Sequence, residues 1–187
     1  MIKNGMKTRD ICMIALFAAF TAVTAQISIP MPFGVPMTMQ TFAVMLAGMV
    51  LGARGGFVSV LVYVLLGIIG VPVFSKLSGG LGIVFGPTGG FILSFPVMAW
   101  IVGSGAERGG WGAVTTGLIA GTLVNYAGGM LMFCVITNQG MGAAFMACVF
   151  PFIPTGIIKM IFAGLLGAKL RARNPGRPPV SRGMRPS

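Results

Sequence analysis

Ile11 to Ile29 reads ICMIALFAAFTAVTAQISI, and the number of times this chain crosses a bilayer turns on that run. A membrane helix needs about 20 apolar residues, so the run is long enough to be one. It follows the basic segment MIKNGMKTRD. A basic segment ahead of an apolar one also describes a signal peptide, and VTA before Gln26 is a passable cleavage site. Retained, the run is the first of an even number of spans. Removed, it leaves an odd number.

The composition places the whole chain in a membrane. Of 187 residues, 56% are hydrophobic and only 8% are charged. Soluble domains carry roughly 25% charged residues, so there is too little polar surface here to cover a soluble globule. Glycine is abundant at 30 residues, in keeping with helices that approach one another closely. The net charge of +11 does not indicate nucleic-acid binding, because the basic residues flank apolar runs and form no patch on a solvated face. Cys12, Cys134 and Cys148 lie in apolar stretches without metal-ligand spacing and read as small buried hydrophobes. The chain has no histidine, which excludes His-based catalysis and His metal sites.

Further apolar runs follow the first. PMPFGVP, with Pro30, Pro32 and Pro36, reads as an uncharged loop. The second run is Met37 to Leu51, ending at GARGG, and the third is Phe57 to Val71. A glycine-rich stretch containing Lys76 precedes the fourth, Phe85 to Val102, which closes at the polar turn GSGAERGG. The fifth is Trp111 to Ile136. The last apolar region, Met141 to Leu170, is interrupted by PFIP and reads as a short embedded piece followed by a span from Thr155. The predicted fold is an all-α integral membrane protein of six transmembrane helices in one domain, residues 1–170. Residues 171–187 form a basic, proline-rich cytoplasmic tail whose composition predicts disorder.

Loop charges test the layout, since cytoplasmic loops hold the excess of Lys and Arg. Six spans with both termini in the cytoplasm put Lys3, Lys7, Arg9, Arg54, Arg108, Lys169, Arg171, Arg173, Arg177, Arg182 and Arg185 inside. Only Lys76 and Lys159 fall in the outer half. Cleavage of the first run would destroy this asymmetry, so the run is expected to stay.

Leu77 to Gly80 reads LSGG, the opening of the signature motif of ATP-binding cassette ATPases. A nucleotide motor also needs the phosphate cradle GxxxxGK[ST] and acidic residues for metal and water. The cradle string is missing, and the only acidic residues are Asp10 and Glu107, both near the predicted cytoplasmic surface. LSGG is therefore a flexible turn. The neighbouring GPTGGF, with Gly86, Thr88, Gly89, Gly90 and Phe91, belongs to a long uncharged outer segment. Such connections act as binding loops or pack as re-entrant loops.

Ionisable groups at membrane depth are costly and usually functional. Lys159 is the one that qualifies, about one turn into the last predicted span. It either snorkels to the interface or awaits an anionic ligand, since neither acidic residue lies on the outer side. Gln40 and the pair Asn125-Tyr126 join helices by hydrogen bonds or read a neutral polar group of a ligand. Tyr63, Phe74 and Phe91 supply apolar walls. Together these residues suit a small amphipathic anion. They do not suit an enzyme, because no nucleophile-base pair is visible. Ala15 with Ala19, and Ala18 with Ala22, have the AxxxA spacing of a helix-docking face or of internal packing.

The strings IPMPFGVPMTMQTFAVMLAGMVLGARGG, YVLLGIIGVPVF, GPTGGF and PFIPTGIIK occur in that order between Ile29 and Lys159. With their spacing, the chain from about residue 11 to 170 resembles the BioY family, the biotin-binding S components of energy-coupling factor transporters. The resemblance implies a six-helix, multi-pass protein of the cell membrane that binds biotin from the outer side and has no enzymatic activity or cofactor. It implies partners as well: a transmembrane coupling protein and two cassette ATPases, which alone use ATP. It carries the docking role to Ala15, Ala18, Ala19 and Ala22. Biotin would bring a ureido ring for the amides, a thioether ring for the aromatics and a carboxylate for Lys159. Two positions depart from the family pattern. Gly156 stands where an acidic residue is usual, which removes a partner for Lys159, and Phe91 stands where tyrosine is common. The competing readings are a carrier of another small vitamin or organic anion, and a structural membrane subunit that binds no small molecule.

Overall fold

The computed structural model describes residues 8–31 and 34–173, together with Val180. Lys3, Lys7, Pro32, Arg177, Arg182, Arg185 and nearly all of the predicted disordered tail lie outside the described residues.

Helices account for most of the described chain. They are α1 (Thr8–Ala25), α2 (Gln40–Ile68), α3 (Leu81–Val84), α4 (Gly89–Glu107), α5 (Trp111–Thr137), α6 (Met141–Cys148) and α7 (Ile153–Ala172). Short 3-10 turns lie at Ser75–Leu77 and Phe150–Phe152. Between α1 and α2 a two-residue antiparallel ribbon pairs Ser28 with Thr38 and Ile29 with Met37. This ribbon flanks the loop expected at PMPFGVP and takes its residues from the ends of the first and second apolar runs. Five segments are long and apolar enough to cross a bilayer: Thr8–Ala25, Gln40–Ile68, Gly89–Glu107, Trp111–Thr137 and Met141–Ala172. Their outward faces carry large apolar side chains such as Leu16, Val23, Ile119, Val135 and Phe162, which is normal for a surface that meets lipid.

The second and third apolar runs form two helices, numbered together as α2, and the break between them is a single residue, Gly52, at φ 74° and ψ −176°. That conformation is open essentially to glycine alone. It makes α2 a hairpin. A Cβ on Gly56 would lie 2.8 Å from the Cα of Gly48. In an unbroken helix those residues would stand about 12 Å apart along the axis. Gln40 and Tyr63, about 34 Å apart on the same reckoning, share a hydrogen bond. The expected loop GARGG thus contracts to one corner, with residues 40–51 and 53–68 as its arms. Glu107, at the end of α4, accepts the amide N–H of Ala53 at 3.0 Å. The carboxylate thereby satisfies a donor that the start of the second arm would otherwise leave open.

The other boundaries move by a few residues. The fourth helix begins at Gly89 rather than Phe85, after the single turn α3, and continues to Glu107. The short piece ahead of the last helix is α6, and α7 starts at Ile153. Arg171, expected at the head of the tail, sits in the last turn of α7 at 1% exposure, donating to the Met49 carbonyl at 3.1 Å. The α2 hairpin is the centre of the bundle, packing against α1, α4 and α7, while α5 packs on α4 and α6.

Candidate functional site

A cavity of about 230 Å³ lies between the α2 hairpin, α4, α5 and α7. Two connections wall it: residues 34–38 ahead of α2, and residues 74–78 ahead of α3. Its polar side is built on Lys159. This residue projects from α7, is only 8% exposed, and donates through Nζ to the Thr38 carbonyl at 2.6 Å and to Thr41 Oγ1 at 3.3 Å. An ammonium has three hydrogens, so one is left over. Both partners are neutral, and Asp10 and Glu107 belong to other parts of the bundle, in α1 and at the end of α4. The charge is held by dipoles, without a counter-ion among the described residues.

Gln40 lines the cavity beside this group. Its Oε1 accepts from Thr38 Oγ1 at 3.1 Å, and its Nε2 bonds to the Tyr63 hydroxyl. Tyr63 Oη donates in turn to the Val73 carbonyl at 3.2 Å, and its ring stands edge-on to Phe74. Tyr63 therefore does not reach the cavity wall. It stands behind Gln40 and Phe74 and fixes both.

Asn125 lines the cavity from α5 at 1% exposure. Its Nδ2 donates to the Phe91 carbonyl at 3.0 Å and to Ser94 Oγ at 2.8 Å. A carbonyl can only accept, so this settles which end of the amide is nitrogen. Asn125 Oδ1 is left buried and without a partner among the described residues. Buried polar atoms are rarely left so. Tyr126 and Thr88 also line the cavity, and Phe74, Phe91, Phe95, Met45 and Met98 make its walls apolar.

Seven residues singled out from the sequence thus converge on one cavity: Lys159, Asn125, Tyr126, Gln40, Phe74, Thr88 and Phe91. Tyr63, Gly86, Gly89 and Gly90 do not line it. The glycines of GPTGGF serve packing. A Cβ on Gly90 would come within 2.7 Å of Met132 Cβ and one on Gly89 within 3.2 Å of Met132 Cε, so the bare backbone of these two lets the start of α4 close on α5, while Gly86 lies against Gly82 and Ile83. Thr38, Thr41, Phe95 and Met98 line the cavity without having been singled out, and so does Gly156, noted in the sequence only as a departure from the family pattern. Thr38 acts through its backbone carbonyl, which no residue type signals. Of the small residues on α1, Ala15 and Ala19 are exposed, whereas Ala18 is buried and Ala22 packs inward.

The site holds a cation, polar amide and hydroxyl groups, and aromatic and thioether walls, with no nucleophile beside a base among the lining residues. An apolar helical bundle around such a cavity is a membrane-embedded binding protein for a small amphipathic molecule. Comparison with known proteins agrees. The family model of the BioY family matches residues 1–176. A probable biotin transporter BioY from Pyrococcus horikoshii is 41% identical over 166 residues, covering 89% of this chain and 98% of the relative. The biotin transporter BioY of Rhizobium etli is 38% identical over 183 residues, covering 91% and 97%. Among solved structures, the S-component for biotin from an ECF-type ABC transporter superposes with a TM-score of 0.83 at 24% identity, covering 93% of this chain and 96% of the other, so the two share a fold. The chain belongs to the BioY family.

Proposed function

We propose that this protein is the substrate-binding component of a biotin uptake system: it takes biotin from the outer side and passes it on through an ATP-driven transporter complex. It is a multi-pass protein of the plasma membrane and not an enzyme. One observation carries the ligand assignment. The buried Lys159 ammonium has only neutral partners among the described residues, and Asn125, whose buried Oδ1 has no partner among them, lines the same cavity. A ligand with one carboxylate and one ring N–H satisfies both, and the thioether ring of biotin suits the Phe and Met walls. The biotin transporters among the relatives support the same choice.

In this reading the two arms of α2 count as separate passes, which makes six spans, and α6 is an embedded piece before the last. Both termini face the cytoplasm, where the positive-inside rule puts eleven of the thirteen basic residues. ATP is hydrolysed only by partner subunits, two cassette ATPases bound to a coupling protein, and the binding component itself needs no cofactor. The coupling protein meets α1 on the face carrying Ala15 and Ala19.

The test is equilibrium binding of biotin and of biotinamide to the detergent-purified protein and to its Lys159→Met variant. Biotin affinity should fall at least about tenfold in the variant, which corresponds to about 1.4 kcal/mol. Biotinamide should bind the native protein less well and respond little to the substitution. Equal losses for both ligands would reduce Lys159 to a structural role. Lys76 also lines the cavity. If Lys76→Met rather than Lys159→Met abolishes the preference for the charged ligand, biotin lies the other way round, with its ureido oxygen on Lys159.

A further inference from the structure

Gln26 follows directly on α1 and lies outside the cavity lining, yet its side chain is committed to the cavity wall. Its Nε2 donates to the Phe74 carbonyl at 3.0 Å and to the Ala22 carbonyl, one turn back in α1, at 3.1 Å. Its Oε1 accepts the backbone N–H of Leu77 at 2.8 Å. Both ends of the amide are fixed by partners of opposite kind, so its orientation is unambiguous.

The segment it grips is strained. Lys76 at φ 58° and Leu77 at φ 52° are both left-handed, and neither is glycine. Such conformations persist only where surrounding structure imposes them. The ends of the segment are tied to α2 and to each other: Tyr63 Oη bonds to the Val73 carbonyl, Gly80 N–H to Gly67, and Phe74 N–H to the Ser78 carbonyl. At the left-handed pair itself, the Leu77 amide is held by Gln26. Phe74, Ser75, Lys76 and Ser78, within this same segment, face the ligand cavity.

We propose that Gln26 is a positioning residue: it sets the 74–78 wall of the cavity and links α1 to ligand occupancy. The three hydrogen bonds join Ala22, Phe74 and Leu77 through one side chain, so a shift of the wall moves the end of α1. The inference rests on the binding role proposed above. It deepens that role by naming how the helix that meets the coupling protein feels the filled cavity.

Gln26→Met keeps the length of the side chain and removes both its donor and its acceptor. The full-length protein in detergent is compared with this variant by exchange of labelled biotin and by backbone hydrogen exchange. Biotin dissociation should accelerate at least about tenfold in the variant, and amides at 73–78 should exchange faster, with α4 and α5 unchanged. Biotin should protect residues 22–27 in the native protein and fail to do so in the variant. Gln26→Glu keeps an acceptor for Leu77 but faces the Phe74 carbonyl with oxygen, so its dissociation rate should fall between the two. Unchanged dissociation and exchange in Gln26→Met would overturn the proposal, as would loosening of the whole bundle. If the native protein binds no biotin, the functional reading fails. The exchange at 73–78 then still decides whether Gln26 holds the wall.

Discussion

The hydroxyl of Tyr126 occupies the space that a side chain at position 156 would need. A Cβ built on Gly156 falls 2.6 Å from Tyr126 Oη and 3.9 Å from its Cζ, with nothing else as close. The hydroxyl bonds to the Phe152 carbonyl at 3.2 Å, one turn earlier in the same region of chain. Gly156 and Lys159 are three residues apart on α7, so the two positions share a helix face. The resemblance to the BioY family implies an acid at this position. Tyr126 and the missing side chain are steric complements, and with glycine at 156 this position brings no carboxylate to Lys159.

The complementarity predicts a change of sign. Gly156→Ala alone should destabilise the protein and weaken biotin binding, because the methyl group meets the hydroxyl. In a Tyr126→Phe background the nearest atom retreats to ordinary contact. The same substitution should then stabilise α7 by up to about 1 kcal/mol, the helix-propensity gain of alanine over glycine. Thermal melting and biotin titration of the four proteins give the cycle. Gly156→Asp in the Tyr126→Phe background should supply Lys159 with an internal counter-ion and erase the preference for biotin over biotinamide.

Asn125 separates ligand recognition from packing. Asn125→Leu removes the unpaired Oδ1 acceptor and the amide donor to Ser94 Oγ, which keeps its own bond to the Phe91 carbonyl at 3.0 Å. Biotin affinity should fall by about tenfold or more, in line with the 1–3 kcal/mol cost of unpaired buried groups. An analogue methylated on a ring nitrogen should already bind the native protein weakly and lose little more. An equal loss for the methylated analogue would mean that Oδ1 meets no ligand N–H.

Gly52 should tolerate no side chain. Gly52→Ala must adopt φ 74° with ψ −176°, at a cost of about 1–3 kcal/mol. The variant should melt at a lower temperature in detergent, with biotin affinity preserved in the fraction that folds. An unchanged melting point would show that the corner can be made another way.

The small residues of α1 should divide into two classes. Ala15→Leu and Ala19→Leu change an exposed face, so biotin binding by the isolated protein should persist while transport in the assembled complex falls. Ala18→Leu inserts volume into the core, where overpacking costs about 1–3 kcal/mol, and should lower stability first. If the Ala15 and Ala19 variants transport normally, the coupling protein docks elsewhere.

The residues of the cavity were legible in unequal measure. Lys159, Asn125 and Gln40 stood out because polar groups in apolar runs are expensive and must be compensated. Phe74, Phe91, Tyr126 and Thr88 were reached through the composition of the same segments. Gly89 and Gly90 misled, because a glycine that lets helices close looks the same in sequence as one that lets a ligand approach. Gln26 attracted notice only as the residue after an apparent cleavage site. Its role depends on the backbone of a segment 48 to 51 positions away, which no local pattern records.

The sequence by itself determined that this chain belongs in a membrane, that it is helical, and where its apolar runs lie. These follow from short-range rules of composition, periodicity and charge. It also determined that a lysine would stand without an acidic neighbour, since the chain has so few carboxylates. Only the tertiary structure decided that two apolar runs make one hairpin turning at Gly52, since the turn depends on helices packing closely around a single backbone conformation. Only there do the Thr38 carbonyl and Lys159, 121 residues apart, come within 2.6 Å. A hydrogen bond of that kind exists in the folded bundle and nowhere along the chain, because it joins a backbone atom, common to every residue, to a side chain on another helix.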